Sequence, residues 1–237
     1  NPPKTLRYAF PVAETGFDPS KISDLYSRIC TAHMFEGLFC YDHLARPSRV
    51  KPLTAVALPE ISADFRRFTI RIRPGIFFAD DPAFQGQKRE LVAADYVYSL
   101  KRFADPANKS PAWGEVAEVG YTGLAALRQR AIDNRIPFDY DTPIPGLQAL
   151  DRHTLQLTVD EPRPRLVEYL ADNGLYGAVA REVVQFYGDK IAEHPVGTGP
   201  FRLARWRRSS EMVFDRSPSY RQRVYEDDAN PGPDDIE

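Results

Sequence analysis

Proline accounts for 21 of the 237 residues, and proline breaks helix interiors and central strands alike. That density is incompatible with a helical bundle and demands many short elements joined by rigid connections. The length suffices for one large domain or two ordinary ones, with a core that needs no metal or disulfide. Hydrophobic residues at 43% and charged residues at 27% exclude a disordered or collagen-like chain.

Between the prolines, two hydrophobic periods appear. Phe68, Ile70 and Ile72 alternate with Thr69, Arg71 and Arg73, and Leu155, Leu157 and Val159 alternate with Gln156 and Thr158. Each pattern predicts a strand with one wet face, as in antiparallel sheets. Pro74-Gly75 turns the chain after the first. Ile22, Leu25, Tyr26, Ile29 and His33 recur at helical spacing and predict an amphipathic helix over 20–35 with that stripe buried; Ala93, Val97, Leu100 and Ala104 predict a second over 93–103, stopped by Asp105-Pro106. Residues 6–10 and 39–42 read as strands, and the Pro-rich stretch 132–148 as a long ordered loop. A helix is expected beyond Pro164, another over 181–190, and a hairpin from 201–206 and 212–214.

The net charge of −2 offers no broad cationic surface, so nucleic acid is not an expected partner. Arg202, Arg205, Arg207, Arg208, Arg221 and Arg223 are broken by Glu211 and Asp215 and read as a solvated face. No run approaches the ~18 apolar residues of a membrane span, and the N-terminus lacks a signal-peptide pattern, which leaves a cytosolic protein or one whose signal has been removed. Cys30 and Cys40 are expected as two unpaired, buried thiols. The scattered His33, His43, His153 and His194 have no ligand spacing, so no metal or cofactor is implied. Neither a Gly-x-Ser-x-Gly elbow nor a phosphate-binding Gly-rich loop ending in Lys-Ser or Lys-Thr occurs. Asp80-Asp81 and Asp227-Asp228 read as turn residues. A hydrolytic enzyme remains the competing class, needing an acid or nucleophile that no motif supplies.

The most unusual string is Pro195-Val196-Gly197-Thr198-Gly199-Pro200-Phe201. Its glycines permit positive φ or close backbone approach, and its prolines fix entry and exit; a rigid crossover fits better than a phosphate cradle. Continuing through Leu203 and Trp206 to Arg216-Ser217-Pro218-Ser219-Tyr220, it resembles a segment of family 5 extracellular solute-binding proteins, the oligopeptide- and dipeptide-binding receptors of ABC importers. Phe17-Asp18-Pro19, Phe35-Glu36-Gly37-Leu38, the strand from Phe68 to Gly75, Ala93-Ala94-Asp95-Tyr96-Val97-Tyr98-Ser99-Leu100-Lys101-Arg102 and Asp151-Arg152-His153-Thr154-Leu155 resemble further family landmarks, in the family's order. Two departures stand out: Val92 replaces a threonine helix cap, and Ala79-Asp80-Asp81-Pro82 with an insertion up to Arg89 replaces an Asp-Gly turn.

The resemblance implies a mixed α/β (α+β) fold: a periplasmic-binding-protein type II lobe from residues 1–36 and 160–237, with a smaller inserted α+β domain over 37–159. Relatives run to well over twice this length, so the expectation is a fragment ending near the Pro- and Asp-rich 231–237, with the second lobe absent and weak ligand binding by one cleft wall alone. It implies a non-catalytic, monomeric, periplasmic receptor, its signal peptide removed, that closes two lobes on a small ligand and delivers it to a membrane permease. Peptide is the expected ligand, held extended by main-chain hydrogen bonds; sugar, nickel, haem or other small molecules are the family's alternatives. Ser23, Asp24, Leu25 and Tyr26 fall where relatives line the cleft, and Trp113 near a ligand-contacting tyrosine. Against this, the helical period makes Leu25 and Tyr26 ordinary core residues. The carboxylate that grips a peptide's amino terminus in some relatives falls in the half not present here.

Overall fold

The computed structural model describes residues 4–43 and 45–221. Arg223, Asp227-Asp228 and the stretch 231–237 lie outside them.

The alternating patterns form the centre of a four-stranded antiparallel sheet. β1 (Phe39–Tyr41) and β2 (Val50–Pro52) pair with each other as a separate ribbon. In the main sheet, β3 (Glu60–Ile61), β4 (Arg67–Arg71), β5 (Leu147–Ala149) and β6 (Thr154–Thr158) lie in the order β3-β4-β6-β5. Phe68 faces Leu157 and Ile70 faces Leu155 across the β4–β6 ladder, and all four are fully buried. The wet faces carry Thr69 and Gln156, as a one-sided sheet requires.

Among the helices, α1 (Leu25–Met34) precedes the sheet and α2 (Ala93–Ala104) packs against it. At the start of α2, Val92 has no side-chain acceptor, but the Asp95 carboxylate reaches back to take the Val92 N–H at 2.8 Å. That substitutes for the missing hydroxyl cap. Arg89 in turn holds Asp95 through two bonds, at 2.7 and 3.0 Å, and Glu182 at 2.7 Å. Tyr96, wholly enclosed, bonds Thr54 at 2.6 Å and donates to the Glu36 carbonyl at 3.1 Å.

Two helices, α3 (Trp113–Val119) and α4 (Leu124–Asn134), go beyond the sequence reading. Helix α4 takes the first residues of the stretch expected as loop, and the remainder does run irregularly to β5. That loop is pinned from inside, because the buried Lys101 ammonium donates to the carbonyls of Tyr140 and Thr142 at 2.8 and 2.7 Å. The chain then forms α5 (Leu166–Tyr169), α6 (Asn173–Tyr176) and α7 (Arg181–Tyr187). A 3-10 turn over Gly188–Glu193 replaces the end of the helix expected to reach 190. The expected hairpin is β7 (Phe201–Arg207) with β8 (Glu211–Arg216).

Three expectations are corrected. Helix α1 starts at Leu25 and buries Ser27, Cys30, Thr31 and Met34; Leu25 and Ile29 point outward, Leu25 at 64% exposure. The inner face has to be small because other backbones press on it: a Cβ on Gly174 would lie 2.8 Å from the Arg28 carbonyl oxygen, and one on Gly197 2.1 Å from that of Met34. Residues 6–10 form no strand, and Leu6 is 91% exposed; no described strand pairs with them, so the apolar run has no ladder to join. Of the two cysteines only Cys30 is buried, against the Met212 sulfur at 3.9 Å, while Cys40 is half-buried in the ribbon.

Candidate ligand-binding wall

Ser23, Asp24, Leu25 and Tyr26 form the entry to α1. Asp24 is its N-cap: one carboxylate oxygen accepts the Ser27 N–H at 2.7 Å and the other the Thr15 hydroxyl at 2.5 Å. Partial burial would raise its pKa, but the hydrogen bonds from Ser27 and Thr15 outweigh that and hold it below the ordinary value. Asp24 therefore fixes the turn rather than facing outward as a free charge. Ser23 and Leu25 are exposed, and Tyr26 is half-buried with its ring 4.7 Å from Phe10. Leu25 is consequently not a core residue. Phe10 also meets Tyr8 at 5.4 Å, so residues 8–10 and Tyr26 present a short aromatic row beside the helix entry.

Trp113 opens α3. It is half-buried against the core, and the Arg128 guanidinium sits over its ring at 4.9 Å. Tyr176 lies buried on α6 with its ring 5.8 Å from that of Phe103. Burial pushes its hydroxyl pKa up, and the charges of Glu115 on α3 and Asp172 at the α6 N-cap push it further, opposed by Arg28 on α1. Trp113 packs against the main core and Tyr26 against Phe10. Arg28 and Asp172 are ion-paired with each other.

The base under this wall is rigid. Arg102 of α2 donates to both carboxylate oxygens of Asp18 at 2.7 Å, and neither side chain exceeds 2% exposure. The string 195–201 packs backbone against backbone: the Gly199 N–H donates to the Met34 carbonyl at 2.8 Å, and the Gly197 carbonyl accepts the Ala79 N–H at 2.9 Å. Thr198 donates to Glu36 at 3.0 Å, and Arg221 clamps the same carboxylate at 2.7 and 2.9 Å. These groups are spent on internal contacts, so the string is a crossover and no phosphate cradle. An open groove of about 550 Å³ lined by Asp64, Arg66, Thr122 and Asp160 holds none of the wall residues. Among the described residues, no group of three or more His, Cys, Asp or Glu side chains is arranged to hold a metal, and no helix is long and apolar enough to cross a membrane.

The chain as a whole has relatives among known proteins. Residues 49–237 match the family of bacterial extracellular solute-binding proteins, family 5 Middle. The chain belongs to that family, one of solute-binding proteins rather than enzymes. It is 28% identical over 227 residues to di/tripeptide-binding protein 2 of Pseudomonas aeruginosa, covering 92% of this chain and 38% of that one. Over 210 residues it is also 28% identical to the periplasmic oligopeptide-binding protein OppA of Salmonella typhimurium, covering 86% and 34%. Among solved structures, Haemophilus influenzae OppA in complex with RPPGFSPFR superposes with a TM-score of 0.71 at 23% identity, over 88% of this chain and 37% of that one. The fold is accordingly mixed α/β of the type II periplasmic-binding-protein kind. The chain spans little more than a third of the length of these relatives.

Proposed function

We propose that this chain supplies one wall of the ligand cleft in the substrate-binding component of an ABC importer, and that the ligand is a short peptide. The reading is carried by the match of residues 49–237 to a family of solute-binding proteins, and the exposed aromatic row at the α1 entry together with the buried Asp18–Arg102 pair supports it. A site that must keep its shape while the ligand comes and goes needs such stiff support. Relatives named for di/tripeptide and oligopeptide binding support the ligand class.

In this reading Ser23, Leu25, Tyr26 and Trp113 face the ligand, and Asp24 holds the turn that presents them. Residues 37–159, which contain the whole β3-β4-β6-β5 sheet, form a domain inserted into a lobe built from 1–36 and 160–237. The protein is a periplasmic monomer that hands its closed, loaded form to the membrane permease. Native mass spectrometry on the natural protein, purified gently, tests this. A ladder of peptide masses is expected; a single non-peptide mass or a metal would keep the receptor and replace its ligand, and turnover of a substrate would overturn both.

A further inference from the structure

The open groove of about 550 Å³ has the size of a small-molecule site and contains no residue of the wall. It is built from the β3–β4 connection, the end of β6 and the connection between α3 and α4. Arg67 and Thr158 face each other across the β4–β6 ladder on its wet side, and Asp160, two residues beyond Thr158, continues that side. The β3–β4 turn is fixed locally, because the Ser62 hydroxyl accepts the Arg67 N–H at 2.9 Å and donates to Asp64 at 2.6 Å. Asp64 and Asp160 each commit one carboxylate oxygen to neighbours, that of Asp160 accepting the Thr122 hydroxyl at 2.7 Å. Their second oxygens, the Thr158 hydroxyl and the Arg67 guanidinium make no hydrogen bond or ion pair with another described residue. The groove therefore offers free donors and acceptors on a preset frame.

We propose that this groove binds a neutral oligosaccharide. Its lining carries the guanidinium groups of Arg66 and Arg67 and the carboxylates of Asp64 and Asp160, so the charges cancel. A phosphate would meet both carboxylates, and an ammonium both guanidinium groups. Only Ala63 and Val159 in the lining are apolar, and Val159 is 2% exposed, so an apolar ligand finds no surface to cover. An amino-acid zwitterion would engage one charge of each sign and leave the rest unmatched. A sugar chain matches them all: each of its hydroxyls both donates and accepts, a guanidinium presents two parallel N–H donors to adjacent hydroxyls, and a carboxylate presents two acceptors. This goes beyond the peptide reading and does not rest on it.

The test is calorimetric titration of the natural full-length protein with maltotriose, cellotriose and triacetylchitotriose, and with inorganic phosphate and L-alanine as charged probes. At least one trisaccharide should bind with a Kd of about 1 mM or tighter, and neither charged probe should bind. Saturating Ala-Ala-Ala should leave that affinity unchanged, because the groove is not the peptide wall. Arg67→Ala should weaken it about ten-fold, and Thr158→Val, which keeps the branched shape a strand favours, about three-fold, the weights of a charge-assisted and a neutral hydrogen bond. Arg71→Ala, on the same wet face but paired with Glu60 at 3.8 Å and outside the groove, should change nothing. Binding of no trisaccharide, competition with Ala-Ala-Ala, or equal loss in the Arg71 variant overturns the sugar site. Binding of phosphate or alanine that is lost in Arg67→Ala overturns it in favour of a charged ligand. If Ala-Ala-Ala itself does not bind, the peptide reading fails, and the groove is still judged by the trisaccharides and the three variants.

Discussion

Arg102 and Asp18 meet in a two-pronged ion pair, both bonds at 2.7 Å, with the side chains 2% and 0% exposed. Burial alone would raise the Asp18 pKa, but the charge and hydrogen bonds of Arg102, with those of Ser20, hold it below the ordinary 3.8. Asp18 belongs to the segment ahead of α1 and Arg102 to α2, 84 residues later, so the pair joins two otherwise remote parts of the chain.

Removing one partner strands a buried charge. Arg102→Met should cost about 3–5 kcal/mol in urea unfolding. Because the folded-state pKa of Asp18 is lowered, its contribution is complete above the unfolded value and is lost as pH falls through the folded one. Stability should therefore drop as the pH goes below about 4, and Asp18→Asn should show a shallower drop from a lower starting point. An unchanged pH slope in that variant would remove Asp18 from the account.

Asp24→Ala should lower stability by about 1 kcal/mol, the cost of an N-cap, while Asp24→Ser, which keeps a side-chain acceptor, should recover most of it. Thermal unfolding of the two variants decides whether the carboxylate acts mainly on the helix or is held for the ligand.

Glycines 197 and 114 should respond in opposite directions. A Cβ at 197 would sit 2.1 Å from the Met34 carbonyl oxygen and 2.8 Å from the Phe35 ring, so Gly197→Ala should prevent stable folding or shift the unfolding midpoint severely. A Cβ at 114, inside α3, would meet nothing within 4 Å, and Gly114→Ala should gain about 0.5–1 kcal/mol of helix propensity. Soluble expression and urea midpoints read both.

Cys30 should resist alkylation. Burial, reinforced by the charges of Glu14 and Asp24, pushes its thiol pKa up to about 12, so almost no thiolate exists near neutral pH. Iodoacetamide at pH 8 should leave Cys30 unmodified in the native protein and label it after unfolding in urea, as read by peptide mass spectrometry. Rapid native labelling would show that the α1–hairpin seam opens.

What could be read from the residues alone divides along physical lines. The alternation at Phe68, Ile70 and Ile72 located β4 and its buried face, because a half-buried strand has one period and one answer. Helix α2 was legible for a similar reason, with Asp105-Pro106 marking its end. The stripe on α1 misled because burial there is set by backbone contact with Gly174, Gly197 and Gly199, which favours Ser27, Cys30 and Thr31 over the larger Leu25 and Ile29. Helices α3 and α4 went unread although Leu124, Leu127 and Ala131 have helical spacing, and although Gly120 and Gly123 adopt positive φ at 76° and 85° beside their ends. The ion pair of Arg28 with Asp172 had no signal to read, since it is made across 144 residues by the tertiary fold alone.

The contact between the 195–201 crossover and the end of α1 has a consequence for how firmly that helix is placed. Because main chain rests on main chain there, the position of α1 is set by fixed covalent geometry and atomic radii, with no side chain whose rotamer can drift. The helix is a surveyor's benchmark: side chains at its exposed entry can be replaced while the distances measured from its buried end stay the same.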